Sequence, residues 1–189
     1  MTLFRSLTGL FIALAALPSL AGPLLADKSD IRFISVKNAA IAEVHHFKSL
    51  AGGISGGEVN VVIPLVDVET LIPIRNERMQ KMLFEIDSFP KATLSGNVDM
   101  AAVMALENGD YTRMTVQFTL DLHGNSKQLS SEVLVARLGN EIHVSTEQPL
   151  VLNVADFKLT EGVERLREVA GLANISTAVP VTANLVFSR

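Results

Sequence analysis

The stretch Tyr111-Thr112-Arg113-Met114-Thr115-Val116-Gln117-Phe118-Thr119-Leu120-Asp121-Leu122 decides the fold. Met114, Val116, Phe118, Leu120 and Leu122 alternate with Arg113, Thr115, Gln117, Thr119 and Asp121, a period of two that gives an extended strand one dry and one wet face. The C-terminal run repeats it. Ile175, Thr177, Val179, Val181, Ala183, Leu185 and Phe187 fall on one side, and Pro180 falls on the wet side, as edge and bulge prolines do. Val59, Val61, Ile63 and Leu65 give a third strand. Fainter alternation covers 30–37, 41–49, 91–99, 129–138 and 142–146, with turns at Asn108-Gly109-Asp110, His123-Gly124-Asn125 and Gly139-Asn140. Eight or so antiparallel strands with one apolar face each must hide those faces, as two packed sheets or one sheet closed on itself. The pattern alone does not choose between them.

Two segments break the β rhythm. From Arg75 to Ile86, Met79, Met82, Leu83 and Ile86 have helical spacing; from Glu161 to Leu172, Val163, Leu166, Val169 and Ala170 share a helical face and Gly171 is a stop. Both segments are expected to cover openings of the β structure. At the N-terminus Arg5, the apolar run Leu7–Leu17 and Ser19-Leu20-Ala21 have the order of a signal peptide, so residues 1–21 are expected to be a leader and 22–189 one exported domain. The apolar run is too short for an integral membrane span, which needs about 20 residues. The expected location is periplasmic.

Removing that leader removes Arg5 alone among the charges and leaves 15 basic against 20 acidic side chains. Such a balance disfavours nucleic acid as a partner, which needs a basic footprint. With no Cys, disulfides and thiolate chemistry are excluded.

An ordered series of short motifs runs through the chain: Ser29-x-Ile31-x-Phe33, Val44-His45-His46-Phe47, Val68-Glu69-Thr70, Ile74-Arg75-Asn76-Glu77-Arg78-Met79, Leu83-Phe84, Phe89-Pro90-Lys91-Ala92-Thr93, Leu120-Asp121-Leu122-His123-Gly124 and Ala155-Asp156-Phe157. In this the sequence resembles the YceI-like family of exported lipid-binding proteins. Glu69 stands where that family usually has Asp, Asn76 where Asp commonly follows the Arg, and Lys158 where Gly often follows Asp-Phe. The resemblance implies an all-β fold, an extended eight-stranded antiparallel lipocalin-like barrel with short covering helices. It also implies a long apolar cavity for a polyisoprenoid or similar chain, with no cofactor. A homodimer is left open.

Of His45 and His46, adjacent residues on a strand point to opposite faces, so the two do not readily face one metal ion. One is expected in the lumen and one in water, with His46 taken as the lumen contact beside Phe47. Arg75 and Arg78, three apart on a helix, suit an anionic headgroup at the barrel mouth, but the favoured reading is ion pairing with Glu77, Glu85 or Asp87 that holds the segment to the barrel. Met79, Met82 and Phe84 are candidates for an adaptable wall, Phe118 and Phe157 for the cavity lining. Asp156-Phe157 reads as a corner in which Phe157 anchors inside and Asp156 caps the following turn or accepts backbone N–H bonds. His123 reads as a turn residue and His143 as solvent-facing.

Gly53-Ile54-Ser55-Gly56-Gly57 fits G-x-S-x-G but joins two strands, so it reads as a hairpin loop and not as a nucleophile elbow. No catalytic carboxylate pair is recognisable by spacing. The leading expectation is therefore a non-enzymatic carrier of a long apolar ligand. The alternatives are an enzyme acting on a small hydrophobic substrate in the barrel, which needs titratable groups around the cavity, and a filled interaction domain without a ligand.

Overall fold

A computed structural model describes residues 22–189, and the expected leader lies outside the described residues. In chain order the elements are β1 (Asp30–Lys37), β2 (Ile41–Phe47), β3 (Ala51–Ser55), β4 (Glu58–Pro64), β5 (Val68–Glu69), α1 (Pro73–Arg78), β6 (Lys91–Asn97), α2 (Met100–Met104), β7 (Tyr111–Leu122), β8 (Asn125–Leu138), β9 (Glu141–Thr146), β10 (Leu150–Asn153), α3 (Thr160–Val169) and β11 (Ala178–Ser188). A π-helical turn, Met79–Leu83, continues α1, and 3-10 turns occupy Ala26–Lys28, Leu65–Asp67 and Val154–Phe157.

Eleven strands stand where eight were expected, and the pairings explain the difference. The β2–β5 register, Phe47↔Val68, continues after a short break as the β3–β4 register, Ala51↔Val62. β9 and β10 likewise both pair with β11, through Asn184↔Ser145 and Leu150↔Val181. Three long strands are thus each broken in two, so eight ladder positions remain. Each is antiparallel to its neighbours in sequence order, and β11 returns to β1 with Asp30↔Asn184 and Phe33↔Val181.

Before β1 begins, residues 22–25 extend the same edge. Gly22 N donates to Ser188 O at 3.1 Å and Leu25 N to Val186 O at 2.7 Å, while Leu24 N reaches Gly52 O of β3 at 2.9 Å. A closed up-and-down barrel results, the architecture that leaves no long unpaired edge. The Gly53–Gly57 stretch is not wholly a loop, because Ala51–Ser55 is strand β3. Gly56 (φ 59°) and Gly57 (φ 93°) make its hairpin turn.

The two ends are closed differently. At the lower end α2, capped by the Asp99 carboxylate accepting from Ala101 N at 3.0 Å, lays Val103 on Val133, Val135 and Ile142. At the upper end α1, the π turn and α3 lie over the barrel. α3 begins at Thr160 and is followed by Gly171 at φ 62°, a left-handed stop. It crosses the π turn so closely that a Cβ on Gly162 would sit 2.8 Å from Met82 O and 2.9 Å from Leu83 Cα. Arg165 pins the crossing by donating to Met82 O (2.8 Å) and to Glu85 (2.6 Å). No helix among the described residues is long and apolar enough to cross a membrane.

Candidate functional site

Between barrel and upper cover lies a cavity of about 550 Å³, within the range of small-molecule sites of about 300–1,000 Å³. Its walls are the dry faces read from the sequence. Val116, Phe118, Leu120 and Leu122 come from β7, and Val179, Val181, Ala183 and Leu185 from β11. The deep wall is aromatic, with Phe33 against Phe47 (ring centroids 5.7 Å) and Phe47 against Phe84 (6.3 Å).

Of the residues expected at the site, Phe47, Arg75, Arg78, Met79, Phe84, Phe118 and Phe157 line the cavity. His46 and Met82 do not. On β2 the alternation places Glu43, His45 and Phe47 inward together, so His45 is the lumen histidine and His46 lies on the opposite face. Met82 is displaced by the π turn: Phe84 N donates to Met79 O, a bond five residues back, which rotates the spacing that an α-helix would have kept. Phe157, at 1 % exposure, is anchored as expected. Asp156 instead pairs with Lys127, while the side chain of Asn153 caps the turn by accepting from Ala155 N. His123 is a turn residue at φ 51°, and His143, half-buried, lies 3.1 Å from Glu141.

Polarity rises along β1 and β2 toward the mouth. Inward from β1 come Ile31, Phe33, Ser35 and Lys37, so the lining passes from apolar to hydroxyl to ammonium. Ser35 Oγ lies 2.8 Å from Nε2 of His45, whose ring tilts 5.2 Å from Phe33. His45 is 2 % exposed, and its Nδ1 has no partner among the described residues. Burial, reinforced by the nearby Arg75 guanidinium, lowers its pKa to about 4, so the imidazole is neutral at pH 7.

Glu43 is held between Lys37 Nζ at 2.8 Å and Arg75 at 2.7 Å, and its carboxyl is accordingly more acidic than usual, chiefly through the Lys37 contact. Arg75 thus pairs with none of the acids expected from helical spacing, and Glu85 serves Arg165 instead. Ser35, Lys37, Glu43 and His45 were not among the residues expected at the site.

A polar knot fixes the approach to α1. Thr70 N and Oγ1 both donate to Asn76 Oδ1 (2.9 and 2.6 Å), and Glu69 accepts from Asn76 Nδ2 (3.0 Å), Leu71 N (2.6 Å) and Lys48 (3.0 Å). These bonds, the Asn76 contact foremost, hold the Glu69 pKa at about 2. Arg75 closes the knot by donating to Thr70 O at 2.6 Å. Lys158 adopts the left-handed conformation (φ 54°, ψ 31°), which explains why glycine suits that position.

A closed antiparallel barrel with a largely apolar interior and short helices over its ends defines the lipocalin-like barrel class. A family model described as the YceI-like domain matches residues 24–187, and the chain belongs to that family. A solved polyisoprenoid binding domain from Saccharophagus degradans, implicated in plant cell wall breakdown, is 40% identical; the match covers 90% of this chain and 98% of that one with a TM-score of 0.87. BcnA of Burkholderia cenocepacia shares the fold at 15% identity (85% and 96% covered, TM-score 0.63), as does the Campylobacter jejuni YCEI protein at 17% (74% and 83%, TM-score 0.50). Compared with curated protein sequences, the chain matches none.

Proposed function

We propose that this protein is an exported, non-enzymatic carrier that holds a polyisoprenoid or similarly long apolar chain in the barrel cavity. The observation that carries the reading is the cavity itself: about 550 Å³ of space walled by β7, β11 and the Phe33–Phe47–Phe84 stack. Burying each CH₂ from water is worth about 0.8 kcal/mol, whereas transfer from lipid is nearly neutral, so a carrier needs only a dry cavity and an opening. The 40 % identical relative, described as a polyisoprenoid binding domain, supports the ligand class. Phe47, Phe84, Phe118 and Phe157 would contact the chain, with Arg75 and Arg78 at its mouth-side end.

The lumen is not wholly apolar, so the enzyme alternative has to be weighed on its chemistry. Ser35 and His45 are within hydrogen-bond reach, but His45 Nδ1 has no orienting acid, and an imidazole with a pKa of about 4 is a weak base. Glu43 is fixed by two cations. This arrangement favours binding over catalysis.

The test is mass spectrometry of organic extracts from protein purified out of its own host, alongside an Ala183→Phe variant that fills the cavity from β11. A co-purifying polyprenyl species in the wild type, lost in the variant, is expected; repeated absence of lipid from the wild type overturns the reading. Export predicts a periplasmic protein whose first residue is Gly22, readable by intact mass.

A further inference from the structure

We propose that the rim of the cavity docks on an anionic lipid bilayer, with Leu71, Ile72 and Ile74 entering the hydrocarbon edge and Arg78 and Lys81 lying among the headgroups. This rests on the reading that the cargo is a lipid. Ile72 and Ile74 line the cavity and are at the same time exposed, as are Val169 and Ala170 from the end of α3. On the Ile72, Ile74 and α3 side apolar surface therefore runs from the interior to the outside, whereas Ser35, Lys37, Glu43 and Arg75 form the polar part of the mouth. A cargo chain leaving a membrane at that point stays in contact with apolar groups throughout.

Leu71 extends this surface while not lining the cavity, and it is 83 % exposed. Its backbone is left-handed, at φ 62°, a conformation that leucine disfavours. The Glu69–Thr70–Asn76 knot, with Leu71 N bonded to Glu69, holds it there. A rigid, partly buried polar network thus keeps a large apolar side chain in water next to the mouth. Single exposed apolar residues need no explanation, but a contiguous set beside an apolar cavity marks an interaction site.

The charge on the cover selects the partner. Arg75, Arg78 and Lys81 recur every three residues through α1 and the π turn, against one acid, Glu77, in the same segment. Glu43 occupies Arg75, whereas Arg78 and Lys81 make no ion pair among the described residues. The chain as a whole carries −4, so this basic stretch is a local reversal of sign. It complements anionic headgroups, and it opposes pairing of two copies rim to rim. Apolar groups flanked by cations at one end of a molecule are the pattern of an interfacial anchor.

The test is flotation of the ligand-stripped protein with vesicles of phosphatidylglycerol and phosphatidylethanolamine, compared with phosphatidylcholine alone. Binding to the anionic vesicles is expected, weakened about tenfold or more by the double variant Leu71→Asn, Lys81→Gln, since one cation alone is worth about fivefold at such a surface. Asparagine accepts a left-handed backbone, so the variant should unfold at the same temperature as the wild type or higher. Wild type that fails to float with anionic vesicles, or a variant that floats as well as wild type, overturns the proposal. So does a wild-type dimer in sedimentation that becomes monomeric in the variant, since a second copy would then cover the rim.

Loading of polyprenol from detergent micelles is measured separately. Vesicle binding without loading refutes the cargo reading and leaves docking standing, and loading without vesicle binding refutes docking alone.

Discussion

Lowering the pH from 7 to 5 should destabilise the ligand-free protein through one buried side chain. His45 has an ordinary pKa near 6.5 when the chain is unfolded and about 4 in the barrel, because burial strips water from the imidazolium and Arg75 repels it. Between those two values the unfolded chain binds the additional proton. Stability therefore rises with pH through this window, is fully present above about 6.5 and is lost as pH falls toward 4. For one such site the loss is about 2 kcal/mol between pH 7 and pH 5, approaching about 3 kcal/mol near pH 4.

The choice of pH isolates the histidine. Glu43, Glu69, Glu85, Glu141 and Glu164 have lowered pKa values, so their acid losses lie mostly below the ordinary carboxylate value of 4.5, and what remains above it is common to the wild type and a His45 variant. Urea unfolding followed by circular dichroism at pH 7, 6 and 5 gives the slope, and His45→Gln removes the titration while keeping a polar group near Ser35. The wild type should lose about 2 kcal/mol more than the variant over that range. Equal slopes in the two proteins refute the assignment of a depressed pKa to His45.

Gly162→Val drives a side chain into Met82 O and Leu83 Cα, so α3 must lift from the π turn; a loss of about 1–3 kcal/mol in urea and faster cargo exchange are expected. Phe157→Ala empties a site that is 1 % exposed and should lower stability by about 3–5 kcal/mol, measured the same way. Lys158→Gly relieves a left-handed lysine: the gain of about 1–2 kcal/mol is partly offset by glycine's entropy, leaving an increase of about 0.5–1 kcal/mol in unfolding free energy.

What could be read from the sequence follows from where side chains alternate cleanly. β7 and β11 are wet on one face and apolar on the other, so their inward residues were legible residue by residue. β1 and β2 were fainter because their inward faces carry Ser35, Lys37, Glu43 and His45, and a polar residue in a cavity looks like one in water. The parity of β2 nevertheless held the answer: taking Phe47 as inward assigns His45, and not His46, to the same face. The strand breaks at 48–50, 65–67 and 147–149 were not legible. Leu65, read as the end of a strand, is indeed buried, but it opens a 3-10 turn with the same inward direction. Met82 was misplaced because apolar spacing does not distinguish a π turn from an α-helix, the difference lying in the backbone bonds.

The interrupted strands divide the wall into two storeys. β2, β5 and β10 stand in the upper one, beside the helices, and β3, β4 and β9 in the lower one, where hairpin ladders run on without interruption. At each crease the regular ladder gives way to a bend or a 3-10 turn and is carried by isolated backbone bonds, Lys48 N to Asp67 O (3.0 Å), Leu65 N to Pro90 O (3.0 Å) and Glu147 N to Glu132 O (3.1 Å). A guest pressing outward on the upper storey therefore need not strain the foundation below, and the vessel can widen its neck while its base keeps its shape.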